Sequence, residues 1–206
     1  MKKLMITTLA IGTLIACQNS KNLSSTDTKE SKQMYIDVHH LGAGNVTAEA
    51  VADAHIKDLQ TQGEFDVNFI KYWVDEEAGN VYCLSESPSE EMISKTHEKA
   101  HGLIPEEIYQ VSDGEEAVES GKSRFFLDIH ELGSGNVTAE AVEDAHVKDL
   151  EIQDKYNVNF INYWVSEEDG MVYCLSEANS QDDVIHTHTE AHGLVPDHIM
   201  EVVQGE

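Results

Sequence analysis

The chain contains itself twice. Its landmarks from Asp37 to Pro105 recur 91 residues later, from Asp128 to Pro196, without a gap. Asp-x-His, Leu-Gly-x-Gly-Asn-Val-Thr-Ala-Glu-Ala-Val, Asp-Ala-His, Lys-Asp-Leu, Tyr-Trp-Val and Val-Tyr-Cys-Leu-Ser-Glu stand in both copies. A repeat of this length is one small domain with one core. The domain limits are read as 34–111 and 125–206, with a polar, acidic linker over 112–124.

Hydrophobic periods give the elements of each copy. Tyr35 to Leu41 alternates, with Ile36 and Val38 on one face and Tyr35, Asp37 and His39 on the other. Thr47 can cap a helix whose stripe is Ala48, Val51, Ala52, His55 and Leu59. Val67 to Val74 and Val81 to Glu86 read as strands joined by a turn at Gly79. Ser87-Pro88-Ser89-Glu90 has the form of a capping box with Pro at the first helical position, opening a second helix that runs to His101 and stops at Gly102. Glu107 to Val111 is a short last strand. The order β-α-β-β-α-β is ferredoxin-like. Helices cover one sheet face and leave the other open, so the α+β class is expected as two ferredoxin-like domains in an intramolecular pseudo-dimer with facing antiparallel sheets.

The start of the chain reads as an address. Met1-Lys2-Lys3 is basic and Leu4 to Ala16 apolar, and Leu14-Ile15-Ala16-Cys17 resembles the bacterial lipobox, whose cysteine is lipidated. Residues 1–17 are therefore expected as a lipoprotein signal, and 18–33, nearly free of apolar side chains, as a disordered tether. Gln18 after the cysteine favours the outer membrane over inner-membrane retention, facing the periplasm. Without Lys2 and Lys3 the chain has 11 basic against 39 acidic side chains, a charge near −28. That repels phosphate backbones and anionic surfaces, which excludes nucleic acid and leaves cations as partners.

Eight of the 11 histidines form four matched pairs: His39/His130, His55/His146, His97/His188 and His101/His192. His97 and His101 stand at i and i+4 on one helix face, as do His188 and His192, and two imidazoles so placed can hold one transition metal. His97-Glu98-Lys99-Ala100-His101 also fits the zinc-protease pattern, but Thr189 replaces the glutamate in the second copy and the helix ends at once. Asp37 and His39 share a strand face, as do Asp128 and His130, and Glu86 and Glu177 end the neighbouring third strand. Such nitrogen and oxygen donors suit nickel, cobalt, zinc or copper. Cys83 and Cys174 are equivalent positions open to three readings: an inter-repeat disulfide, buried free thiols, or metal ligands.

The run Asp-x-His…Ala-His…Asp-Leu…Tyr-Trp-Val…Gly-x-Val-Tyr-Cys-Leu-x-Glu…His-x-x-Ala-His-Gly-Leu resembles a bacterial family of small proteins of unknown function, whose best-understood type binds nickel. The resemblance implies single ferredoxin-like domains that dimerise, here fused in tandem. It carries over His39, Glu86, His97, His101 and Cys83, with His130, Glu177, His188, His192 and Cys174 in the second copy. The expected function is a lipid-anchored, monomeric metal-binding protein that buffers, senses or transfers nickel or a similar ion. Two rivals stand beside it. One is a cofactor-free monooxygenase-like enzyme, favoured by a large cavity joining Trp73, Trp164 and His39. The other is a protein-interaction module, favoured by dispersed histidines.

Overall fold

The computed structural model describes residues 31–206 except 115, 122 and 123. The signal segment, Cys17 and the tether as far as residue 30 lie outside the described residues.

The first repeat runs β1 (Gln33–His40), α1 (Ala48–Thr61), β2 (Asn68–Asp75), β3 (Asn80–Ser87), α2 (Glu90–Ala100) and β4 (Glu107–Asp113). The second runs β5 (Phe125–Glu131), α3 (Ala139–Ile152), β6 (Asn159–Ser166), β7 (Met171–Glu177), α4 (Gln181–Ala191) and β8 (His198–Gly205). Thr47 and Thr138 cap α1 and α3 by accepting from the amides of Ala50 and Ala141, 3.2 Å away in each case. The capping box expected at Ser87 does not form. Pro88 precedes the cap, α2 starts at Glu90, and Ser89 occupies the cap without a side-chain bond. Its counterpart Ser180 does cap, accepting from the Asp183 amide. The β2–β3 turn needs Gly79, at φ +82°, because a Cβ there would sit 2.0 Å from the Gly42 carbonyl oxygen.

Within each repeat the strand order is ferredoxin-like, β4-β1-β3-β2 and β8-β5-β7-β6, all antiparallel. The two sheets do not merely face one another, as the sequence led us to expect. They join into a closed eight-stranded barrel through β2–β8 and β4–β6. The physical reason lies at the ends of the last strands. β4 pairs with β1 as far as Val111, then carries on so that Ser112 and Asp113 pair with Val165 and Trp164. β8 likewise passes from β5 to β2, where Val203, Gln204 and Gly205 meet Val74, Trp73 and Tyr72. Closure removes the unpaired edges an open sheet would expose. The segment expected as a linker thus begins as strand, and the amides of Gly114 and Ala117 still donate to Tyr163 and Ile161 carbonyls. Gly114 and Gly205 are equivalent, and each lies flat against a tyrosine of the other repeat. A Cβ would come within 2.5 Å of the Tyr163 ring or 2.1 Å of the Tyr72 ring.

The barrel interior is one core drawn from both repeats, including Ile36, Val38, Trp73, Leu84, Leu127, Ile129, Trp164 and Leu175. Trp73 and Trp164 pack with ring centroids 4.9 Å apart. One mouth of the barrel carries histidine–carboxylate pairs whose order is exchanged between the repeats. His40 on β1 faces Glu107 on β4 at 3.6 Å, whereas Glu131 on β5 faces His198 on β8 at 3.1 Å.

Candidate metal centre

Strand alternation turns Tyr35, Asp37 and His39 away from the barrel interior and toward the helices. Cys83 stands directly across from Asp37 in the β1–β3 register. α2 brings His97 down onto these residues, with His101 one turn later as its C-cap. α1 adds Asp58 from a buried stripe that also holds Val51 and His55.

These residues form two groups that share His97. In the inner group, one Asp37 oxygen, Oδ1, lies 3.2 Å from His39 Nε2 and 3.3 Å from His97 Nε2. Donor atoms of Asp37, His39, Cys83 and His97 all fall within 4.8 Å of one another, and all four residues are buried. In the outer group, Asp58 accepts from His97 Nδ1 at 3.1 Å and from His101 Nε2 at 3.2 Å. The Leu103 amide donates to His101 Nδ1 at 3.2 Å. That nitrogen must carry a lone pair, so the His101 proton sits on Nε2 and points at Asp58. The outer group is therefore satisfied within the protein.

The inner group is not. Asp37 Oδ1 and Oδ2 and His97 Nε2 are buried without an aligned hydrogen bond, and so are Asp128 Oδ1 and Oδ2 and His188 Nε2. The contacts are close, but the geometry of neither imidazole is that of a well-aligned hydrogen bond to Asp37. A buried polar atom left this way costs about 1–3 kcal/mol. A shared cation would satisfy all of them. Metal–nitrogen and metal–oxygen bonds of about 2.0–2.2 Å place neighbouring donors roughly 3.0–3.5 Å apart, and Asp37 Oδ1 stands at 3.2 and 3.3 Å from the two imidazole nitrogens. The donor set fits a borderline transition ion.

The electrostatics agree. Burial works to raise the Asp37 carboxyl, but His97 and His39 outweigh it and hold it below its ordinary value. Burial works to lower His97, but Asp37 and then Asp58 lift it to about 10. Asp58, raised by burial, is drawn down to about 2 by the bonds from His101 and His97. Burial, with Asp37 and Asp58 nearby, pushes the Cys83 thiol well up. Without an ion, the His97 proton is the positive charge that balances two buried carboxylates. A metal would take over that part.

The second repeat builds the same arrangement. His130 and His188 Nε2 lie 3.3 and 3.5 Å from Asp128 Oδ1, and Asp149 holds His188 and His192 at 3.0 and 3.1 Å. Its His188 is likewise lifted to about 10, with burial opposing and Asp128 prevailing.

Of the residues singled out in the sequence, Asp37, His39, Cys83, His97 and His101 come together, as do Asp128, His130, Cys174, His188 and His192. Glu86 and Glu177 do not join them. β3 runs antiparallel to β1, so His39 faces Val81 at the start of β3 while Glu86, near its end, faces Met34. Glu177 instead accepts from the Ser120 amide and from Asn159 Nδ2. Cys83 and Cys174 are free, buried thiols. Asp58 and Asp149 also stand in this arrangement and were not among the residues expected to hold metal. Their signal was a carboxylate on the buried stripe of a helix, three residues after a histidine, in both copies. His39 faces the helices, on the other side of the sheet from the core that holds Trp73 and Trp164.

A family model described as "Nickel responsive protein SCO4226-like" matches residues 35–111 and again 126–202. The solved structure of SCO4226 from Streptomyces coelicolor A3(2) is 36% identical over 37% of this chain and 93% of its own, with a TM-score of 0.35. A putative monooxygenase from Lactobacillus acidophilus NCFM is 10% identical over 85% of this chain and 94% of its own, at a TM-score of 0.46. The putative chlorite dismutase TA0507 is also 10% identical, with the same coverages and a TM-score of 0.44. At those scores the last two have no bearing on function. No curated protein matches the chain.

Proposed function

The chain belongs to the SCO4226-like family of nickel-responsive proteins, and on that premise we propose that each repeat binds one divalent transition-metal ion, nickel first. Asp37, His39 and His97 would hold it in the first repeat, with the Cys83 sulfur in reach; Asp128, His130, His188 and Cys174 would do so in the second. Asp58 and Asp149 orient the imidazoles from behind by accepting their Nδ1 protons, the carboxylate–histidine–metal arrangement that fixes tautomer and raises ligand basicity. His101 and His192 support those carboxylates. The observation that carries this reading is the set of buried, unaligned donor atoms on Asp37 and His97, repeated on Asp128 and His188.

The role is storage, sensing or transfer of the ion rather than turnover. Attachment through lipid at Cys17, at the outer membrane and facing the periplasm, belongs to the same proposal and rests on the lipobox. Zinc, cobalt and copper share the donor preferences and are the natural competitors.

Calorimetric titration of the 206-residue chain with nickel, zinc, cobalt and copper tests the reading. Two tight equivalents of nickel are expected, both lost in an Asp37→Asn/Asp128→Asn variant. Unchanged uptake in that variant would move the ion to the outer groups, and absence of tight binding to any of the four would end the metal reading.

A further inference from the structure

The barrel mouth that carries His40 and His198 opens into a cavity of about 570 Å³. An eight-stranded barrel is wide enough to hold one small ligand, and barrel mouths are favoured binding places. The end of the barrel core forms the floor, with Val38, Tyr82, Ile129, Met171 and Tyr173. The rim is acidic. Asp75, Glu107, Glu131 and Asp197 line the cavity, against His40 and His198 as the groups there that can carry positive charge, and neither lysine nor arginine is among the lining residues. Glu107 comes from the first repeat and Glu131 from the second, and both are about half exposed. One buried hydroxyl faces this space without a partner. Tyr173 is 1% exposed and lines the cavity. Its pKa is raised first by burial and then by Tyr109, Tyr82, Glu107 and Asp169, all at this end of the barrel, so the ring turns a neutral hydroxyl toward the mouth. Asn80 stands at the hydroxyl of Tyr82, and Glu107 at that of Tyr109. Among the described residues no group hydrogen-bonds that of Tyr173. The carboxylates repel an anion, and an apolar molecule leaves them and the hydroxyl unmatched. Tyrosine ring faces and carboxylates both attract cations. A molecule with an apolar middle and an ammonium at each end matches floor and rim together.

We propose that this mouth binds one aliphatic diammonium ion, with its chain on the tyrosine and methionine floor and its two charged ends at Glu107 and Glu131. The ammonium near Glu107 also donates to the Tyr173 hydroxyl, since that carboxylate and that hydroxyl act on one another. The site lies inside the barrel end, whereas the inner groups lie on the helix side of the sheets, and it does not depend on metal binding there. Both repeats contribute to it, so it exists once per chain.

The test uses the 206-residue chain kept metal-free with a chelator and titrated calorimetrically with cadaverine, an unbranched aliphatic diamine. Butylamine, with one charge, and magnesium, with no apolar part, are the controls. One saturable equivalent of cadaverine is expected, weakening as salt is added, with butylamine clearly weaker and magnesium unable to displace the diamine at equal concentration. Glu107→Gln/Glu131→Gln should weaken the diamine about tenfold, the worth of two exposed ion pairs. Glu49→Gln/Glu140→Gln makes the same change of charge on the outer helices and should leave it unaltered. Tyr173→Phe keeps the ring and removes the hydroxyl, and should cost about three- to tenfold. Magnetisation transfer from the diamine methylenes to the Met171 and Met200 methyls gives the location without any mutation. No saturable binding, equal loss in the two glutamine pairs, or displacement by magnesium would each overturn the proposal, the last two by showing attraction to the net charge of the chain alone. A failure here leaves nickel binding at the inner group standing, because no metal is present in the test.

Discussion

The two repeats build one donor set to different tolerances. In the first, four side chains bring donor atoms within 4.8 Å of one another. In the second, only Asp128, His130 and Cys174 do so, and His188 stands a little further off, at 3.5 Å from Asp128 rather than 3.3 Å. The ring centroids of His130 and His188 are 5.4 Å apart, against 5.0 Å for His39 and His97. The residue types are the same in both sites, so the difference is one of placement and not of donor chemistry. One donor chemistry can thus be held at two slightly different spacings.

The sharpest way to break this comparison is to remove the shared imidazole from one site at a time. His97→Ala should lower nickel affinity in the first repeat by more than about a hundredfold, since even outer partners of metal ligands are worth about 10–100-fold. His188→Ala should do the same in the second. Calorimetry of the wild type should show two steps, with His97→Ala deleting the tighter and His188→Ala the weaker. A single step, or the reverse assignment, would mean that the spacing difference has no consequence for binding.

The response to pH should be alike in the two repeats. His97 and His188 are both lifted from 6.5 to about 10, so each ion must displace a bound proton. Nickel affinity should therefore rise with pH across 6 to 8, by up to about tenfold per unit, and titration in buffers of different ionisation enthalpy should count the released protons. In the metal-free protein the sign reverses. A raised histidine pKa contributes stability that is fully present below about 6.5 and is lost as pH rises through about 10.

The barrel seams give a smaller effect. Gly114→Val and Gly205→Val each press a side chain into a tyrosine of the other repeat, and should cost about 1–3 kcal/mol of unfolding free energy in denaturant titration. The Gly205 contact is the closer of the two, and its variant should be the more harmful. The smallest effect separates the second helices. Ser180→Ala removes a working cap and should cost about 1 kcal/mol, whereas Ser89→Ala removes none and should be close to neutral.

The elements were legible because each is local. Ile36 and Val38 against Asp37 and His39 give the β1 faces directly, and Thr47 and Gly102 mark helix ends by their own conformations. Barrel closure was not legible. It depends on Ser112, Asp113 and Gly114 continuing a strand past its own sheet, and polar residues with a glycine read just as well as a linker. At the site, Asp37, His39 and His97 stood out by chemistry and repetition. Glu86 was misplaced because the antiparallel β1–β3 register decides which end of β3 lies beside His39, and that register is a tertiary fact. The partnership of Asp58 with His97 and His101 was not expected because they lie about forty residues away, and only packing of α1 on α2 brings them together.

The exchanged histidine–carboxylate pairs at the barrel mouth have a further consequence. A dimer of identical subunits has a two-fold axis, so every feature at its mouth occurs twice in the same sense. Here His40 answers Glu107 on one side, and Glu131 answers His198 on the other, which no such axis can relate. The mouth therefore has a left and a right. Any molecule that engages it meets the two halves in one fixed order, and the fused chain presents it with a direction as well as a shape.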